Sequence, residues 1–451
     1  MIRTFHPGGV HPDPSKLAAV PENVRVQLPR EVEVLLSQHI GAPAKCVVGK
    51  GDSVKRGDLI AEASGFVSAN IHAPISGIVS NIGQTRMANG LWGDSVTIKA
   101  DEEQHSADEE SIVTGSPIAS DAEINALTSQ QIVDRIGEAG IVGLGGATFP
   151  TKVKLMPPPG MVPELLIINA SECEPYLTND EALIRLYAPS IIKGIKLLMK
   201  ASNVSKAIIG IENNKPDAVA ILMAALTDYD DITIQLLKTR YPQGGEKQLI
   251  EAITGKEVLS GALPVATGVI VQNVATAYAV YEAVYCGKPL IERMVTITGP
   301  HMKRNINVIV PFGMKISDMI NIAGGIPDDT GKVILGGPMM GKAIVNLDAP
   351  ATKGTSAVLL LPEEMSHRRE VEPCIRCASC VNACPMGLEP YRLATLSRYS
   401  MWEEVEEGKV MNCIECGCCS YSCPSARPIL DFIKLGKNKV GSLIRARHTK
   451  P

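Results

Sequence analysis

Two copies of one cysteine pattern constrain this chain more than anything else in it. The first reads Cys374-Ile-Arg-Cys377-Ala-Ser-Cys380-Val-Asn-Ala-Cys384-Pro385, and the second Cys413-Ile-Glu-Cys416-Gly-Cys418-Cys419-Ser-Tyr-Ser-Cys423-Pro424. Three thiolates separated by two residues each can wrap one face of an iron–sulfur cube, while a fourth, followed by proline, starts a helix that leads to the other cube. The spacing therefore assigns Cys374, Cys377, Cys380 and Cys423 to one [4Fe–4S] cluster, and Cys413, Cys416, Cys419 and Cys384 to a second. Cys418 is left over and reads as a packed thiol. Zinc also accepts four thiolates, but it needs only two C-x2-C pairs per ion and gives no reason for a third cysteine followed by Cys-Pro.

At 451 residues the chain has room for about three domains, each with its own core. Its net charge of −4 offers no basic field, so nucleic acid is not an expected partner. No run of 18 apolar residues exists; Val265 to Tyr281 comes nearest and is broken by Gln272 and Asn273, so no transmembrane segment is expected. The opening MIRTFHPGGVHP has no apolar signal core, which points to a reducing cytosol and against disulfides.

Along the chain, the first 30 residues are rich in Gly and Pro (Pro7, Gly8, Gly9, Pro12, Pro14, Pro21, Pro29) and read as extended polypeptide packed along another domain. His6 and His11 within it are isolated loop histidines, structural or solvated rather than ligands. From Ala44 to Lys99 short β segments alternate with Gly-Asp turns, as in a small all-β sandwich, and residues 1–100 form the first unit. Residues 101–128 are acidic and Ser-rich and read as a solvated linker. Residues 129–292 alternate helix and strand patterns, which argues for a doubly wound, Rossmann-like sheet. This unit opens on a glycine loop, Gly143-Leu-Gly145-Gly146-Ala-Thr148-Phe-Pro150-Thr-Lys152-Val-Lys154, whose backbone N–H groups can approach a phosphate or a flat ring while a lysine neutralises charge. It is not the dinucleotide fingerprint, because it follows a helix and carries Thr148 at the third glycine position. Residues 293–350 read as a β-grasp unit, 351–370 as a second linker, 371–430 as the two-cluster unit and 431–451 as a basic tail.

Several of these segments resemble known families. GDSVKRGDLIAEASGFVSANIHAPISGIV is similar to biotinyl and lipoyl carriers in their barrel-sandwich form, although no lysine stands near Phe66, where a carrier would be acylated. GLGGATFPTKVK, NASECEP, YPQGGEKQLIEAITGK and VQNVAT resemble the flavin and NADH loops of the respiratory complex I flavoprotein subunit. Together with the Cys-rich tail they resemble, over nearly the whole chain, the C subunit of the Rnf electron-transport complex.

The resemblance implies a multidomain α/β protein: an N-terminal barrel-sandwich hybrid, a Rossmann-like FMN/NADH domain, a soluble-ligand-binding β-grasp (SLBB) domain and a C-terminal two-cluster ferredoxin domain. It places non-covalent FMN against Gly143, Gly145, Gly146 and Lys154, with Asn169, Asn273 and Thr276 at the flavin edge. It puts Glu174 and Glu246, the candidate catalytic acids, near the nicotinamide nucleotide of the NADH substrate. Two departures, Gly245 in place of a glutamate and Cys173 in place of a serine, bear on the NADH contacts. A terminal charge favoured by the helix dipole is the plainer reading of Glu174.

A flavin between NADH and the clusters makes chemical sense, because it takes two electrons together and releases them singly. The implied role is a peripheral subunit on the cytoplasmic side of the cell membrane. It would pass electrons from NADH through FMN and two [4Fe–4S] clusters to the other Rnf complex subunits, membrane-embedded and ferredoxin-type, coupled to Na⁺ or H⁺ translocation. A stand-alone NADH-dependent cobalamin reductase with the same domain order, and a non-catalytic electron-relay module, are the alternatives. The closing segment, with Lys434, Lys437, Lys439, Arg445, Arg447 and Lys450 against Asp431, would bind anionic lipid or a membrane subunit, or else pack its first turn on the two-cluster unit and leave the rest a solvated basic tail.

Overall fold

The computed structural model describes residues 2–18, 24–111 and 117–448. Pro21, the centre of the expected 101–128 linker and the end of the basic tail, Lys450 included, lie outside the described residues.

The first unit is two facing sheets. Glu31–Leu35, Trp92–Ala100, Gly77–Arg86 and Ser53–Val54 form one, and Lys45–Cys46, Leu59–Glu62 and Ile71–His72 the other. Alternate residues Val32, Val34, Ile60, Val79, Val96 and Ile98 fill the space between them, the period-2 burial expected of a sandwich. Phe66 is exposed on its loop.

The expected linker 101–128 is instead helical over Glu102–Ser111 and Asp121–Ala126. Its charges are used locally. Asp101 accepts the Glu103 and Gln104 amides, and Ser120 and Glu123 form a reciprocal capping box. Asp108 turns inward, where its carboxylate accepts the amide and hydroxyl of Ser76. Acidic composition suggests solvation, whereas here the acids are caps and a buried acceptor.

The nucleotide-type domain has four parallel strands, Ile232–Leu237, Ala207–Glu212, Leu165–Ala170 and Val269–Asn273 in spatial order. The runs LLIINA and VIVQN lack alternation because helices cover both faces of the sheet. Helix Asn179–Ala201 carries Pro189, and Tyr187 just before it leaves helical geometry, so the helix kinks. Gly194 then lets it lie directly on helix Val274–Tyr285, since a Cβ there would meet the Ala277 carbonyl. Numbered along the chain, the strands run 3-2-1-4. The order reverses between Leu165–Ala170 and Val269–Asn273, the topology that places a ligand crevice at their carboxyl ends.

The third unit is a six-stranded mixed sheet in the order Val24–Arg25, Ile306–Pro311, Glu292–Thr298, Ala357–Pro362, Thr330–Leu335, Lys342–Ala343, crossed by helix Ile316–Ile322. The expected linker 351–370 is thus corrected: Ala357–Pro362 is a wholly buried inner strand, parallel to Glu292–Thr298. AVLLLP shows no polar alternation because neither face meets water.

In the last unit the two cysteine motifs adopt one backbone. Left-handed residues fall at Arg376, Ala378 and Gly387 in the first and at the matching Glu415, Gly417 and Ala426 in the second. In the closing segment the first turn packs on the cluster unit, and the solvated remainder is corrected, for Ile429–His448 is a single helix that buries Val440 as well as Ile433 against that unit. Two of its cations are paired within the unit: Lys437 reaches Glu415 and the Cys413 carbonyl, and the exposed Arg447 pairs with Glu406. Among the described residues no helix is long and apolar enough to cross a membrane.

Candidate functional site

The crevice at the strand ends collects most of the expected flavin residues. Asn169 and Asn273, in register on neighbouring strands, frame it. Asn169 donates to the Gly244 carbonyl at 2.8 Å and accepts the Ser171 amide. Asn273 caps helix Val274–Tyr285 by accepting the Ala275 amide, and its Nδ2 donates to Asp180 at 2.7 Å. The glycine loop arches over this edge. Gly143 closes it with a 2.8 Å bond to Phe149 O, and the buried Thr276 hydroxyl accepts the Leu144 amide at 3.0 Å. Thr276 therefore anchors the loop from beneath. Gly145 packs closely, since a Cβ would stand 3.0 Å from that of Asn273 and push it aside, and Gly146, with φ of 152°, has open space where a Cβ would be. Such a cradle, bare of side chains and exposed at Gly145–Ala147, fits a flat ring or a phosphate.

Lys154 and Glu246, distant in sequence, meet as an ion pair at 2.5 Å. Glu246 opens helix Glu246–Thr254, whose cap residue Gly245 offers no side chain, so the first amides of that helix face the same region. Glu174 points elsewhere. Its carboxylate accepts the Met339 and Met340 amides at 3.2 and 2.7 Å, from the turn Gly337–Gly341 of the β-grasp unit. Burial lifts it to about pKa 7 despite those two donors.

A buried polar layer under the crevice carries no sequence motif. Lys16, from the Pro-rich opening, donates to the carbonyls of Glu172, Glu174 and Leu177 and so shapes the loop after the first strand. Glu172 accepts from Lys215 at 2.8 Å and from the Asp180 amide; burial disfavours its charge, but Lys215 and Lys16 keep it ionised. Arg293 donates to Leu144 O at 3.0 Å and holds the glycine loop from below, burial lowering it to about 10. Lys353, wholly buried, donates to Asn70 O and Gly140 O, tying the first unit to the start of this loop. Only long-range folding brings these cations together, so nothing local could announce them.

The eight motif cysteines fall into two environments. Cys384, Cys413, Cys416 and Cys419 line one cavity, together with the unassigned Cys418 and with Pro385, Leu388 and Ile433. Burial pushes Cys413 to about 11 and Cys419 to about 12, and neighbouring Cys416 and Cys384 add repulsion. Burial raises Cys384 as well, while Cys416 is lowered by the Cys418 thiol beside it; thiols crowded in this way suit a multiply charged metal centre that takes them up as thiolates. The Leu388 and Glu415 amides point at the Cys384 and Cys413 sulfurs at 3.4 Å, the N–H···S bonds that tune such a centre. Burial raises Cys380, whose neighbour across the motifs is Cys423, while Cys374 and Cys377 are exposed. Among the described residues no three His, Cys, Asp or Glu side chains meet round a single point, as a lone metal ion requires. A cubane asks instead for thiolates outside a cube, one to each iron. Cys418 is fully buried beside Tyr241.

The two halves of the site touch. Tyr241, in the loop that leads to Glu246, donates its hydroxyl to the Cys416 carbonyl at 2.8 Å. The Gly244 amide of the same loop points at Cys173 Sγ at 3.3 Å, joining it to the loop that carries Glu174.

Comparison with known proteins agrees with this architecture. Family profiles match in order the RnfC barrel sandwich hybrid domain over residues 4–103, the Nuo51 FMN-binding domain over 136–282, the SLBB domain over 294–343 and a 4Fe-4S dicluster domain over 366–424. The chain is 41% identical over 410 residues, 90% of its length and 87% of the relative's, to the C subunit of the proton-translocating ferredoxin:NAD(+) oxidoreductase complex of Clostridium ljungdahlii. It is 40% identical over 436 residues, 96% of each chain, to the C subunit of the Na(+)-translocating ferredoxin:NAD(+) oxidoreductase complex of Acetobacterium woodii. To the C subunit of the ion-translocating oxidoreductase complex of Rhodobacter capsulatus it is 40% identical over 404 residues, 86% of this chain and 75% of that one.

Proposed function

Since this chain belongs to the family of C subunits of ion-translocating ferredoxin:NAD⁺ oxidoreductase complexes, we propose that it is the subunit at which such a complex exchanges electrons with NAD(H). The observation that carries this reading is the Tyr241–Cys416 hydrogen bond, which joins the glutamate loop of the nucleotide-type domain to the backbone of the thiolate-lined cavity.

FMN, when bound, supplies the exchange between a hydride pair and single electrons that NADH and iron–sulfur clusters require of each other. The residues fit it. The bare loop Gly143–Gly146 receives it closely, and Lys154 supplies a cation for its phosphate. Asn169 and Asn273 offer amide groups at the flavin edge, with Thr276 and Arg293 fixing the loop's height. Glu246, free to exchange its Lys154 partner for hydroxyl donors, faces the nicotinamide nucleotide, and Glu174 shapes the neighbouring wall. Cys384, Cys413, Cys416 and Cys419 would hold a buried cluster beside this domain, which would supply a one-electron acceptor there. Cys374, Cys377, Cys380 and Cys423 would hold a second, with Cys374 and Cys377 on an exposed loop where a partner could meet it. The chain lies peripherally on the cytoplasmic side of the cell membrane, and membrane-embedded partner subunits carry out the Na⁺ or H⁺ translocation.

Anaerobic titration of the reconstituted chain with NADH, followed by visible absorption and EPR, tests this. Flavin bleaching followed by two interacting cluster signals is expected. Bound flavin that NADH does not bleach would overturn the assignment in favour of a passive electron relay.

A further inference from the structure

The opening segment, whose Gly and Pro content announces only an extended chain, is built into the junction between flavin-type domain and buried cluster. Arg3 bridges in parallel to Leu237 at the sheet edge, and Phe5 is fully buried among Leu237, Leu249 and Ile250. Arg240 donates to the carbonyls of Phe5 and Gly8, and Val10 pairs with Tyr241 through two bonds of 2.8 and 2.9 Å. Between these fixed ends, Gly8 and Gly9 pass over Ala383–Pro385. The Gly9 amide donates to Ala383 O at 2.9 Å. Gly8, at φ of 73°, lies so close to the Cys384 carbonyl that a Cβ would land on it and come 2.7 Å from Pro385 N. Nearby, Gln248 donates to Pro385 O at 3.3 Å, and Tyr241 holds the Cys416 carbonyl. The backbones of two of the four ligands are thus gripped from the nucleotide side, whereas the loop 371–378 of the other cluster stands exposed.

We propose that the strap residue Gly8 and the Tyr241 hydroxyl are positioning residues: together they seat the Cys384/Cys413/Cys416/Cys419 cluster against the flavin domain and set the electron hand-over between them. This rests on the function proposed above. Each hand-over moves one electron, the flavin side losing it and the cluster gaining it. Two hand-overs discharge the pair delivered by one NADH, which leaves as NAD⁺ while a proton passes to solvent. Tunnelling falls steeply with separation, so the clamp acts on this step and not on hydride transfer.

The test compares wild type, Gly8→Ala and Tyr241→Phe as full chains reconstituted with FMN, iron and sulfide. After anaerobic mixing with NADH, flavin bleaching should keep its wild-type rate in both variants. Reduction of the clusters should slow by about tenfold, the scale of lost outer-shell support at a metal centre. Dithionite should still develop both EPR signals, and the buried cluster's midpoint potential should move in Tyr241→Phe, where the Cys416 carbonyl loses its donor. Cluster reduction at the wild-type rate in variants that show both signals would overturn the clamp. If Gly8→Ala does not fold, Tyr241→Phe decides alone. Failure of the wild type to bleach or to show clusters would instead sink the underlying functional reading, a result distinguishable from failure of the clamp.

Discussion

Glu292 is the charge to remove first. It begins the central grasp strand Glu292–Thr298 and, almost wholly buried, accepts Arg25 at 3.0 Å, Arg56 at 2.6 Å and Lys288 at 2.6 Å. These cations come from the opening segment, the first unit and the end of the nucleotide-type domain, so one carboxylate binds three parts of the molecule. Burial alone would raise its pKa, yet Lys288, Arg56 and Arg25 bring it from 4.5 to about 2. A drop of that size corresponds to about 3 kcal/mol of stability, and breaking a buried pair by removing one partner costs a similar ~3–5 kcal/mol. Because the folded value is depressed, the contribution is fully present above the unfolded pKa of 4.5 and is lost as pH falls toward 2. At pH 7 Glu292→Gln should therefore bear the full loss, leaving three cations with Glu282, which Lys288 contacts at 2.6 Å. Native-state hydrogen exchange reads it at the junction, through the Leu290 amide bonded to Ala139 O and the Phe312 amide bonded to Ile291 O. Corrected for intrinsic rates, both should exchange about a hundredfold faster in the variant, with the difference constant from pH 6 to 8. Exchange within twofold of wild type would refute the reasoning.

The cluster assignment makes a sharp crossing prediction: Cys384→Ser should damage the cluster built by Cys413, Cys416 and Cys419, and Cys423→Ser the one built by Cys374, Cys377 and Cys380. EPR of the reduced variants decides, and loss of the signal from the mutated cysteine's own motif would sink the assignment. Cys418→Ala should leave iron content and both signals intact. Lys154→Met should weaken FMN binding by about 1.5–3 kcal/mol, about 10–100-fold, as read by flavin fluorescence quenching; unchanged affinity would remove Lys154 from the phosphate site. Burial lowers Lys353 from 10.5 to about 7, so the unfolded chain holds a proton the folded one has released, and this group makes stability rise with pH across that window. Lys353→Met should flatten that slope in thermal melts at pH 7, 8 and 9.

Features that depend on neighbours along the chain are legible before folding. Cysteine spacing is such a property, and so are the glycines of Gly143–Gly146 and the strand and helix patterns of the nucleotide-type domain. The capping box at Ser120 and Glu123 is equally legible in kind, though acidic composition hides it, and Ala357–Pro362 escapes a search for alternation because a strand buried on both faces shows none. Meetings between distant segments emerge on folding, where burial changes what a residue can do. Lys16, Lys215 and Lys353 are ordinary lysines until folding removes their water and leaves carbonyls or carboxylates as their partners. Glu174, an acid with a nucleotide role by resemblance, takes its hydrogen bonds from a β-grasp turn. Gly8 and Gly9 are turn formers in sequence; only the fold places Gly8 against Cys384, where the room a side chain would need is already filled by backbone.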